Sequence, residues 1–96
     1  MPAKDIKLSD KDFERIGRAL AEPRRVDILR QISDADGQML CAALQAKHKV
    51  SAATMSHHLK ELETAGLIDT EKEGKCLNIS LKRPVLKAYL ERLGKI

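Results

Sequence analysis

Apolar positions along this chain recur at helical spacing and then, once, change period. Ser9-Asp10-Lys11-Asp12 places a capping serine ahead of acids in a first turn, and Phe13, Ile16 and Leu20 follow on one face. Glu22-Pro23 interrupts this helix and opens a second, whose apolar face is Val26, Ile28, Leu29 and Ile32. Ser33 to Gly37 is turn-forming in composition. Met39, Leu40, Cys41, Ala43 and Leu44 form a third apolar segment, a short extended piece running into a helix that fades near His48-Lys49. Ser51 can cap a fourth helix carrying Met55, Leu59, Leu62 and Ala65, with Gly66 as its stop signal. Beyond Gly66 the period falls to two. Leu77, Ile79 and Leu81 alternate with Cys76, Asn78 and Ser80, and Lys72-Glu73-Gly74-Lys75 supplies a turn before them. Pro84 then opens a last helix with Val85, Leu86, Tyr89, Leu90 and Leu93 on its apolar stripe. The pattern predicts four helices, a β-hairpin and a fifth helix: a mostly α fold with a helix-turn-helix directly followed by a hairpin.

Size limits what this pattern can build. The 96 residues are expected to form one domain, spanning 1–96. A chain of this length buries only roughly 60–65% of the surface it exposes when unfolded. Phe13 and Tyr89 are the only aromatics, so the core must be aliphatic. Two cysteines are too few for a secreted disulfide scaffold. Met1 to Ser9 is mixed and charged without an apolar signal core, and no run approaches the ~18 apolar residues of a membrane span. The expectation is a soluble, cytoplasmic protein with no membrane partner.

Charge changes the picture through its placement. Residues 1–46 hold eight Lys/Arg and eight Asp/Glu, whereas residues 47–96 hold ten against six and carry the whole net charge of +4. The excess falls in the half containing the fourth helix and the hairpin, as a phosphate-binding surface requires.

With Met55, Leu59 and Leu62 facing the core, the fourth helix presents short polar groups and a cation near its N-terminus. Ser51, Thr54, Ser56, His57 and Lys60 are the candidate DNA-binding residues. Ser56 and His57 are the candidates for base edges; Ser51 and Thr54 suit backbone positioning, where the free N–H groups of the helix start also point. His58 adjoins the buried stripe and is expected to be packed and hydrogen-bonded. Lys72 and Lys75 flank Gly74 and give the hairpin a basic tip that can follow phosphates or enter a minor groove. No paired carboxylates, nucleophile–base pair or phosphate loop appears, so neither an enzyme nor a cofactor is expected. A winged-helix module that binds a protein partner remains the alternative of a different class.

Several segments resemble the ArsR/SmtB family of bacterial winged helix-turn-helix regulators. Ala19 to Leu29 is similar to the family's opening signature and Ser51 to Leu62 to its recognition helix. Ala65-Gly66-Leu67-Ile68 and Glu73-Gly74-Lys75 resemble its corner and wing tip. The likeness runs from about residue 13 to 93, in the family's order. It implies a homodimer built from the first and last helices, through Phe13, Ile16, Leu20, Val85, Tyr89 and Leu93. It also implies repression from an inverted-repeat operator in double-stranded DNA, released by a signal that the sequence does not name. Two departures matter: Ala52 and Ala53 stand where polar residues often follow the cap, and Asn78 where many members carry tyrosine. Specificity then leans on Ser56, His57, thymine methyls and DNA shape. The family's metal-sensing motifs do not carry over. Only Cys41 lies near the first, the last helix has no histidine, and nothing in the spacing recommends a set of Cys41, Cys76 and His48. A thiol switch through Cys41 and Cys76 stays open as a second kind of signal, as does a pH response through the histidines.

Overall fold

Ser9 opens the first helix by a reciprocal cap: its Oγ accepts from the Asp12 N–H at 3.0 Å while Asp12 Oδ2 accepts from the Ser9 N–H. The structure, a computed structural model, describes residues 6–96; the first five residues of the charged N-terminal stretch lie outside it. Helix α1 (Asp10–Leu20) is followed by α2 (Pro23–Asp34), strand β1 (Gln38–Leu40), α3 (Cys41–Lys47), α4 (Ala52–Thr64), β2 (Ile68–Glu73), β3 (Cys76–Leu81) and α5 (Arg83–Gly94). Proline sits in the first turn of α2 and of α5, where its missing N–H costs no intrahelical bond.

One strand exceeds the expected hairpin. Gln38–Leu40 pairs antiparallel with β3, in the register Gln38↔Ser80, Met39↔Ile79 and Leu40↔Asn78, giving a three-stranded sheet of order β1-β3-β2. Its partner lies some 40 positions away, so local pattern shows only an extended stretch. The reversal that delivers it uses Asp36 at φ 60° and Gly37 at φ 90°.

The core is aliphatic, as the composition requires. Ile16, Ile28, Ile32, Leu44, Met55, Leu62, Leu67, Ile68 and Ile79 are almost wholly enclosed. The alternation in β3 centres on Ile79, with Leu77 and Leu81 half-buried beside it. The sheet covers the α2–α3–α4 cluster and α1 closes it from another side. Ile16 therefore belongs to the protomer's own core and has no surface to offer a second chain, contrary to its expected place in a dimer stripe. Among the described residues no helix is long and apolar enough to cross a membrane.

Candidate nucleic-acid interface

Ser51 ends the turn after α3 and caps α4. Its Oγ accepts from the Thr54 N–H at 3.1 Å and donates to Thr54 Oγ1 at 3.0 Å. These two hydroxyls are thus engaged with each other, while the α4 N-terminus keeps other N–H groups free. The turn itself is short, and the Gln45 side-chain amide of α3 donates to the Val50 carbonyl within it. Lys47 and Lys49 are exposed there, on either side of buried His48. The sequence reading did not single out these two lysines, although their position in a basic half was a usable signal.

On α4, Met55, His58, Leu59 and Leu62 are buried and every remaining residue from Ala52 to Thr64 is exposed. Ser56 and Lys60, one turn apart, rim a groove shared with Ala52, Cys41 and Gln45 of α3, and Thr70 and Leu77 of the sheet. His57 projects about a quarter turn further round. The expected site residues of α4 thus share one accessible surface, with Ser56 on its sheetward flank and His57 on its outer one. Glu63, an acid on this groove, accepts from Thr70 Oγ1 at 2.6 Å and ties α4 to the base of β2.

The hairpin sorts its charges. Residues directly opposite in an antiparallel pair lie on the same face. Thr70 pairs with Ile79 and Lys72 with Leu77, so Lys72 shares the inward face. Asp69, Glu71 and Glu73 pair with Ser80, Asn78 and Cys76 and share the other. The tip is a two-residue turn between Glu73 and Cys76; Gly74 has φ 64° while Lys75 is not at positive φ, the pattern of a type II′ turn. Lys72 and Lys75 are both exposed. Cys76, the residue after this turn, is an exposed free thiol; Cys41, in the first turn of α3, is free and half-buried.

Behind the surface, both buried histidines face arginines. Arg24 Nη1 donates to His48 Nδ1 at 3.1 Å, and Arg25 Nε donates to His58 Nδ1 at 3.2 Å. The expectation that His58 is packed and hydrogen-bonded is met, but its partner was not foreseen. Burial first, and the Arg24 guanidinium next, push the His48 pKa below 6.5, with Asp27 opposing. For His58 burial and then Arg25 act in the same direction, against Glu22.

Comparison with known proteins fits this geometry. Residues 20–71 match the model of a helix-turn-helix domain. The chain is 31% identical over 90 residues to the cadmium resistance transcriptional regulatory protein CadC homolog of Staphylococcus aureus, covering 93% of this chain and 74% of that protein. It belongs to the ArsR family. The arsenical resistance operon repressor of Staphylococcus xylosus is 35% identical over 68 residues, covering 70% of this chain and 62% of that protein. A crystal structure of an ArsR family transcriptional regulator superposes with a TM-score of 0.82 at 22% identity, covering 94% of this chain and 91% of the other. A homodimeric winged helix-turn-helix DNA-binding domain from Mycobacterium bovis gives 0.72 at 24% identity, covering 92% and 86%. This ArsR-family chain is a DNA-binding transcriptional regulator with a winged helix-turn-helix fold: α3 and α4 are the helix-turn-helix and β2–β3 the wing.

Proposed function

We propose that this chain is a homodimeric repressor that reads an inverted-repeat operator with α4 and clamps the flanking backbone with its wing. The observation that carries the reading is the shared accessible surface of Ser56, His57 and Lys60 beside a wing whose inward face carries Lys72 and no acid. Ser51 and Thr54 fix the helix start against a phosphate, and Lys47, Lys49, Lys72 and Lys75 supply further phosphate contacts. With alanine at 52 and 53, direct base contacts fall to Ser56 and His57.

The second chain is argued from α1 and α5. No residue of α5 is fully buried, Leu90 is 57% exposed and Leu93 38%. Phe13 and Tyr89 pack on each other with ring centroids 5.0 Å apart, and Arg92 lies 4.1 Å over Phe13 while pairing with Asp10 at 2.7 Å. That arrangement holds α5 against α1 and leaves an incompletely covered apolar edge, with Leu20, Val85 and Tyr89 half-buried and Leu90 and Leu93 exposed. A small domain gains most by covering such an edge with a copy of itself. Leu90 was not among the expected interface residues and joins them here.

Among the described residues no three His, Cys, Asp or Glu side chains converge on a common point, and the proposal names no inducing signal. Selection of bound fragments from genomic DNA tests the proposal. The wild-type chain is expected to enrich an inverted repeat with half-sites about one helical turn apart. A Ser56→Ala/His57→Ala variant is expected to bind DNA while losing that preference. Undiminished enrichment of the same repeat by the variant would show that α4 reads elsewhere.

A further inference from the structure

Two of the three histidines are buried, His48 at 6% and His58 at 7% exposure. Each is met by a guanidinium, and the two guanidiniums belong to adjacent residues in the first turn of α2. His48 closes α3, and its Nε2 faces Gln31 Oε1 at 3.1 Å. His58 lies mid-way along α4; its arginine also donates to the Ala19 carbonyl of α1 at 3.4 Å. Both helices of the helix-turn-helix are thus attached to the Arg24-Arg25 dipeptide.

The chemistry of these contacts permits one protonation state. A guanidinium has five donors, no acceptor and no accessible deprotonated form. Nδ1 of each histidine must therefore carry a lone pair, which places the proton on Nε2, where His48 donates to Gln31. A second proton on either ring turns the acceptor into a donor aimed at a donor and sets two cations about 3 Å apart. The other charged groups acting on His48 reduce to Asp27, which favours the charged ring. Around His58, Arg24 and His57 oppose charge together with Arg25, and Glu22 favours it.

We propose that Arg24 and Arg25 are positioning residues for the reading head. Paired with neutral His48 and His58 they hold α3 and α4 on the start of α2, and protonation of the two rings releases that hold and weakens DNA binding. The inference rests on the DNA-binding reading above and adds a regulation to it. The sign follows from linkage. Both folded-state pKa values lie below 6.5, so an undocked ring binds protons more readily than a docked one. The docked arrangement is complete above pH 6.5 and is lost as pH falls through 6.5 toward the lower folded values. Each ring changes the docked-to-undocked ratio by at most about tenfold per pH unit in that interval, and the two together by about a hundredfold.

The test has two arms. In the first, imidazole NMR of the DNA-free chain is followed from about pH 8 to about pH 5, in wild type and in Arg25→Gln. His48 and His58 are expected as Nε2–H tautomers at neutral pH, titrating below 6.5. Arg25→Gln removes the charge and is expected to bring the His58 midpoint up, a change that a packing role alone would not produce. Midpoints for both buried rings at or above 6.5 would overturn the proposal, as would an unmoved His58 midpoint in Arg25→Gln. In the second arm, anisotropy of a labelled mixed-sequence duplex is compared at about pH 7.5 and about pH 5.5 for wild type and His58→Asn. The Asn Oδ1 takes the place of Nδ1 and cannot be protonated. Wild type is expected to bind more weakly at the lower pH, by at most about a hundredfold, and His58→Asn to lose distinctly less. Equal loss in both would overturn the coupling to DNA. Absence of binding at either pH would count against the DNA-binding reading itself, while the titration arm still judges the clamps.

Discussion

Gly66 is where the chain leaves helical geometry. Its φ is 81°, its N–H donates to the Glu63 carbonyl at 2.9 Å, and the Leu67 N–H donates to the Leu62 carbonyl at 3.0 Å. Those two bonds close a Schellman motif, and Leu67 then enters the core fully buried. An added Cβ at Gly66 meets nothing within 4 Å, so the cost of Gly66→Ala is purely that of the backbone conformation, about 1–2 kcal/mol. Thermal unfolding followed by circular dichroism is expected to show a Tm roughly 5–10 °C lower, with DNA binding at room temperature unchanged. Such local devices are legible because their signals lie within a few residues: Ser9 with Asp12, Ser51 with Thr54, Gly66 after the last apolar position. The burial of His58 is legible too, since it adjoins the stripe of Met55, Leu59 and Leu62. Its partner is not. Arg25 lies 33 positions away and Arg24 stands 24 from His48, and only the packed fold brings those pairs together.

Among the elements, the wing shows how far alternation can be read. The period of two in Leu77, Ile79 and Leu81 identifies a half-buried strand, and Gly74 locates the reversal. Which charges face α4 depends on register, which the turn type sets: a two-residue turn pairs Glu73 with Cys76 and so puts Lys72 opposite Leu77. One residue more in the turn would shift this pairing. Exchanging the neighbours, Glu71→Lys with Lys72→Glu, leaves composition and net charge unchanged while moving the cation to the outward face. Anisotropy titrations at matched ionic strength are expected to show DNA affinity several-fold weaker for the exchanged wing, from the loss of about one phosphate contact. The first strand was legible only as an extended piece, because its place in the sheet is a pairing with Ser80, Ile79 and Asn78 that no local pattern encodes.

For the whole molecule, the apolar stripes of the first and last helices were legible, but their division of labour was not. Ile16 is wholly enclosed, Phe13 and Tyr89 stack on one another, and the unpaired remainder shifts toward Leu90 and Leu93. Helical spacing places Ile16, Phe13 and Leu20 on one face without showing that α2, α4 and α5 already cover part of it. The basic half of the chain becomes a surface only through the fold, which sets the wing beside α4 and leaves the charge-balanced first half to the scaffold and its apolar edge. In the proposed dimer, two copies joined along that edge would present two reading helices to one face of a duplex. The most direct measurement is a fluorescence anisotropy titration of duplex DNA with the full chain over a range of salt concentrations, alongside Leu90→Arg/Leu93→Arg. The account requires two chains per duplex and an affinity that falls linearly with salt on logarithmic axes, with a slope reflecting about six or more phosphate contacts. The double variant should bind as a monomer with roughly half that slope. A flat, salt-independent titration, or unchanged stoichiometry and slope in the variant, would contradict it.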